Sequence, residues 1–158
     1  RYVKPCACLE VDMLHVKGNL AACYSCLGRD EEALALRREI YARSLALGIS
    51  SHFLDVLNLA VSLKKTQRHT EAASFLREQL PKARRALGAE DDTFFRLRGM
   101  YANALRDDRG SSRDDVVEAV AIFEGLSSTA RRIYGESHPL AKHIQDELEA
   151  AQIKLACF

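Results

Sequence analysis

The sequence predicts an all-α chain, a stack of about three helical hairpins closed by one further helix. Three observations carry this. A short signature recurs at a nearly constant interval, apolar residues fall at three- and four-residue spacing around each copy, and no alternating run of β-branched or aromatic residues offers a strand.

The recurrence is plain in the letters. Asn19-Leu20-Ala21 returns 39 residues later as Asn58-Leu59-Ala60. An acidic residue and an alanine follow each copy, as Glu32-Ala33 and Glu71-Ala72, and a third such pair is Glu118-Ala119. The units close on Leu47-Gly48, Leu87-Gly88 and Tyr134-Gly135. These marks predict repeats over 11–48, 51–88 and 91–135 and a capping helix over 138–155, all within one domain spanning 1–158. The third unit is longer, with a polar insertion from Asp107 to Asp115 that contains Gly110-Ser111-Ser112.

Each unit reads as two helices. In the first, Leu14, Leu20, Ala21, Tyr24 and Leu27 form one stripe. Gly28-Arg29-Asp30 breaks it, with Asp30 expected as N-cap, and Ala33, Leu36, Ile40 and Leu47 form the next, closed by a left-handed Gly48. The second unit repeats the pattern with Leu57, Ala60 and Leu63, then Ala72, Phe75, Leu76, Ala83 and Leu87. The third uses Leu97, Tyr101, Ala102 and Leu105, then Ala119, Ile122, Phe123, Ala130 and Ile133. The last helix carries Leu140, Ile144, Leu148, Ala151 and Leu155, with Glu147, Glu149, Gln152 and Lys154 expected on a polar outer face. Ala21, Ala33, Ala60, Ala72, Ala102 and Ala119 recur at matched places and mark helix crossings, where only a small side chain lets backbones approach. Pro5 and Pro139 suit helix starts, whereas Pro81 lies inside an apolar stripe and predicts a kink or break there.

Composition narrows the function classes. Lys plus Arg number 23 against 22 for Asp plus Glu, so the net charge of +1 gives no general argument for nucleic acid or an anionic membrane. No apolar run is long enough to cross a bilayer. Five cysteines, Cys6, Cys8, Cys23, Cys26 and Cys157, are an odd number in a chain large enough to fold without staples; they predict small buried thiols and a cytoplasmic or other reducing compartment. The chain begins at Arg1 rather than Met and shows no N-terminal cap, which leaves room for further repeats before it.

The stretch Asn19-Leu20-Ala21-Ala22-Cys23-Tyr24, continuing through Leu27-Gly28-Arg29-Asp30-Glu31-Glu32-Ala33 to Leu47-Gly48, resembles the tetratricopeptide repeats of kinesin light chains and their relatives. Tyr134-Gly135-Glu136-Ser137-His138-Pro139 is similar to the junction between consecutive repeats in that family. The likeness runs from Val11 to Leu155 and departs from the pattern at Gln67, in place of a turn glycine, and at Met100-Tyr101-Ala102, in place of Asn-Leu-Ala. It implies a right-handed superhelical solenoid whose concave groove, lined by the first helix of each hairpin, binds an extended peptide or a partner helix. Carried over position by position, the groove residues are His15 and Asn19, then Asn58 and Lys65, then Arg96, Asn103 and Arg106. Asn amides can both donate to and accept from a peptide backbone, and the cations favour acidic groups. The competing reading makes the asparagines helix-to-helix ties and the cations solvated.

Chemistry finds little footing. Cys6-x-Cys8 and Cys23-x-x-Cys26 invite a zinc site, but 15 helical residues between Cys8 and Cys23 would separate the pairs by roughly 22 Å. His15, His52, His69, His138 and His143 show no ligand spacing, and neither a nucleophile elbow nor a phosphate-binding glycine loop occurs. Acidic residues fall mostly in first turns and Arg84-Arg85 and Arg131-Arg132 near helix ends, where they complement helix dipoles; a basic ridge for an acidic partner is the sharper reading of the arginines. The sequence therefore predicts no enzyme, no metal or cofactor, and a protein or peptide partner. The alternative is a structural subunit of a larger assembly, held through its convex or end surfaces.

Overall fold

A computed structural model describes residues 7–49 and 52–158, with side chains from Leu9 onward. The expected helix start at Pro5 and the Cys6-x-Cys8 pair lie outside the described residues and side chains. The fold is all-α: seven helices and, among the described residues, no strand. They are α1 (Ala7–Cys26), α2 (Asp30–Ala46), α3 (His52–Lys65), α4 (His69–Leu87), α5 (Asp92–Asp107), α6 (Arg113–Tyr134) and α7 (Pro139–Leu155). The chain divides into two compact units, one through Arg68 and one from His69 to Phe158. The division falls inside the expected middle repeat, so its two helices belong to different units.

In the first unit α2 packs on both α1 and α3. Ala21, Ala33 and Ala60 are buried at these crossings, with Leu14, Leu34, Ile40, Val56 and Leu63 filling the space around them. In the second unit α5 packs on α4 and α6, and α7 closes over α6 and touches α5. Ala72, Ala102, Ala119 and Ala151 mark these contacts, and Leu76, Leu97, Phe123 and Leu126 form the centre of the core.

Local chemistry sets the boundaries. Asp91 caps α5, its carboxylate accepting from the amides of Thr93 (2.8 Å) and Phe94 (3.1 Å). Ser112 and Asp115 form a reciprocal capping box at the start of α6. His138 caps α7, accepting from the Leu140 amide at 3.2 Å, with Pro139 as the first helical residue. Gly48, at φ 66°, closes α2: the Ile49 amide reaches the Ser44 carbonyl at 3.0 Å and the Gly48 amide reaches Leu45 at 3.1 Å. Gln67 takes the same left-handed turn after α3 at φ 60°, with the Arg68 amide 2.9 Å from the Leu63 carbonyl.

Several expectations are corrected. Asp30 is not the cap of α2 but its first residue; Arg29 holds the cap position, with no capping side-chain bond. No break occurs at Pro81, which sits within a continuous α4. Packing of Ala72, Leu76 and Ala83 in the core holds the helix through a residue that cannot donate to the Arg77 carbonyl. Leu20, Leu27 and Ile133 are exposed, because no helix of their own unit lies over them. Cys23, Cys26 and Cys157 are exposed free thiols rather than buried ones, for the same reason. Glu147 and Lys154 turn inward against the end of α5, and only Glu149 and Gln152 remain on an exposed face of α7.

Candidate functional site

The first unit contains a cleft of about 510 Å³ between α1, α2 and α3. The 3.6-residue turn places His15 and Asn19 of α1 one turn apart on the same face, and both side chains are exposed there. From α3, Asn58 reaches the same cleft, half-buried, beside Leu54 and Asp55. The floor is apolar where Leu14 and Ile40 meet and polar where α2 contributes Arg37 and Ser44.

Two floor groups set the electrostatics. Ser44, almost fully buried, donates to the Asp55 carboxylate at 2.6 Å and ties α2 to α3. Burial pushes the Arg37 pKa down, while Asp55 pulls it the other way. A half-buried guanidinium thus faces a carboxylate at the bottom of an open cleft, giving paired positive and negative ends beneath the neutral amides of Asn19 and Asn58.

The sequence-based groove reading did not include Arg37. A signal existed in Gly18, which stands inside α1 where glycine costs about 1 kcal/mol relative to alanine. A Cβ there would lie 3.8 Å from Arg37 Nη1, in ordinary contact, so Gly18 marks the place where the guanidinium passes close to α1.

The other candidates lie elsewhere. Lys65 donates to Ser25 Oγ at 2.7 Å and lies 3.9 Å from Asp30, at the far end of the first unit's hairpin turns. Arg96 is exposed and paired with Asp92 at 2.8 Å on its own helix. Asn103 is buried and accepts from Arg106 Nη2 at 2.8 Å. Arg106 also bonds Asp107 at 2.7 Å, the Glu147 carbonyl at 3.2 Å and the Glu147 carboxylate, with its guanidinium 5.8 Å from the Phe123 ring. The first unit therefore brings His15, Asn19 and Asn58 together and leaves Lys65 at its hairpin turns; in the second unit Arg96 is exposed, and Asn103 and Arg106 form a network joining α5 to α7. Among the described residues no His, Cys, Asp and Glu side chains cluster as metal ligands would. No described helix is long and apolar enough to cross a membrane.

Residues 57–92 match the tetratricopeptide repeat family. No curated protein matches the chain. The matched repeat takes in Asn58 and Lys65 of α3, the Gln67 turn and all of α4. Tetratricopeptide repeats mediate protein–protein interactions.

Proposed function

We propose that the chain is a protein-interaction scaffold that binds an extended peptide in the cleft of its first unit. The observation that carries this reading is the opening of His15, Asn19 and Asn58 onto one cleft above Arg37 and Asp55. Amides spaced along two helices can each donate to and accept from a peptide main chain, so recognition rests on backbone geometry as well as side chains. Arg37 below them supplies a charged partner for an acidic side chain or a terminal carboxylate. The subclass similar to kinesin light chains is supported by the Asn-Leu-Ala and Glu-Ala marks, and an intracellular, reducing setting by the free thiols Cys23, Cys26 and Cys157.

The test is a peptide selected on the whole chain from a displayed library, followed by its affinity for the Asn58→Ala variant. Loss of a hydrogen-bonding amide is expected to weaken binding about tenfold. Unchanged affinity in both Asn19→Ala and Asn58→Ala removes the cleft from the account.

A second reading, a subunit held in a larger assembly by its end surface, is favoured by α1. Leu9, Met13, Val16 and Leu20 fall at helical spacing along its outer face and are exposed, as is Leu27 just past its end. Concentration-dependent self-association or poor solubility of the lone chain supports this reading; a monodisperse monomer at high concentration counts against it.

A further inference from the structure

The second unit holds a separate cleft of about 650 Å³, formed by α4, α5 and α6 and lined by none of the expected groove residues. Its floor is apolar, from Leu80, Phe94 and Ile122. Its walls are basic, from Arg84 and Arg85 on α4 and Arg98 on α5. We infer that this cleft binds an acidic peptide segment, with carboxylates on the three guanidinium groups and an apolar side chain against the Leu80, Phe94 and Ile122 floor.

The charges there are unbalanced. Arg77 at the edge is already engaged: its Nε donates to Tyr101 Oη at 2.8 Å and its Nη2 lies 3.8 Å from Glu118. Tyr101 in turn donates to Glu118 at 3.0 Å, so the cleft's one lining carboxylate is held at the Arg77 end. The side chains of Arg84, Arg85 and Arg98 make no hydrogen bond and no ion pair among the described residues. Arg98 is the telling group. It is half-buried, and burial and the charge of Arg84 both push its pKa down. A half-buried guanidinium beside another of the same sign is costly unless an anion completes the pair.

Gly125 lies inside α6, where glycine costs about 1 kcal/mol relative to alanine. A Cβ there would stand 3.4 Å from Arg98 Nη2. The Arg98 guanidinium thus lies against α6 at Gly125, within contact distance of where a Cβ would stand. A peptide fits the site better than a polyanion does: the apolar floor gives an anchor pocket, and a net charge of +1 supplies no field for a long anionic chain. This inference does not rest on the cleft of the first unit.

The experiment uses the whole chain and a short fluorescein-labelled peptide of Asp and Glu around one Phe, read by fluorescence anisotropy. Binding is expected to weaken as salt is added and to fall about tenfold or more for the peptide's Asn/Gln counterpart. Arg98→Gln and the pair Arg84→Gln with Arg85→Gln are each expected to reduce affinity by a similar factor, whereas Arg109→Gln, on the exposed loop, leaves it unchanged. Arg98→Gln is also expected to hold or raise the Tm of the free chain, which a fold-supporting arginine would not do. Equal binding of the Asn/Gln peptide, full displacement by inorganic phosphate at equal concentration, or equal binding of a single-stranded oligonucleotide overturns the assignment. So does a lowered Tm with unchanged affinity in Arg98→Gln.

Discussion

Lys154, near the end of α7, caps α5: its ammonium lies 2.9 Å from the carbonyl of Asp108, the C-cap residue of that helix. It also donates to the Arg106 carbonyl and, at 2.7 Å, to Ser111 Oγ. Three acceptors at one helix end and the following loop are thus satisfied by a single part-buried cation. Lys154→Met keeps the apolar stem and removes all three bonds. The expected cost is about 1–3 kcal/mol, checked by urea unfolding. A change below 0.5 kcal/mol, on the order of an ordinary surface substitution, means the lysine does not hold α7 to α5.

Gln67 occupies a left-handed backbone conformation that Gly28 and Gly48 take in the equivalent turns. A side chain there costs roughly 1 kcal/mol. Gln67→Gly is expected to raise stability by about that amount and to increase Tm in calorimetry. A β-branched residue at the same position, as in Gln67→Val, is expected to lower it. If Gln67→Gly is neutral or destabilising, the turn is not strained.

Leu20 and Leu59 hold the same place in the repeated Asn-Leu-Ala signature, yet Leu20 is 42% exposed and Leu59 only 5%. α2 packs on both α1 and α3, yet within the first unit the signature leucine of α3 is enclosed while that of α1 faces outward. Leu59→Ala is expected to cost about 2–4 kcal/mol and Leu20→Ala under about 1 kcal/mol, measured side by side in denaturant. Equal costs would mean that something covers α1 in solution, as the assembly reading requires.

Asp108 links stability to acidity. Its carboxylate accepts from Thr70 Oγ1 at 2.7 Å and from the Gly110 amide at 3.1 Å, with His69 and Lys154 nearby, and these groups hold its pKa below the ordinary aspartate value. A lowered folded pKa means stability that is fully present above the unfolded value of about 3.9 and lost as pH falls toward the lowered one. Urea midpoints are therefore expected to drop below about pH 4, and Asp108→Asn is expected to flatten that acid limb. Parallel acid limbs in the two proteins would remove Asp108 from the cause. Asp115, held down by Ser112, adds a similar contribution.

How far the sequence reached depended on whether the signal was local. Helix boundaries set by nearby groups were legible: Pro139 opens α7, Gly48 closes α2, and the matched alanines fall at buried crossings. Burial that depends on which helix lies alongside was not. Leu20 and Leu27 have the spacing of core residues and are exposed, because periodicity marks an apolar face without saying what covers it. Arg106 shows the same limit at the site. Its place on a first helix matches a groove residue, but Glu147, 41 residues away, engages its guanidinium. Arg37 and Arg98 were not legible because each takes its surroundings from neighbouring helices, with Gly18 and Gly125 beside their guanidinium groups.

The central claim is that Asn19 and Asn58 present their amides to one bound peptide. The direct measurement is side-chain amide NMR of the whole chain, titrated with a peptide selected on it. The account predicts that the Asn19 and Asn58 side-chain signals shift together with one saturation curve, and that Asn58→Ala weakens the curve read at Asn19. Saturable binding that leaves both signals in place, or that moves only residues of the second unit, would contradict it.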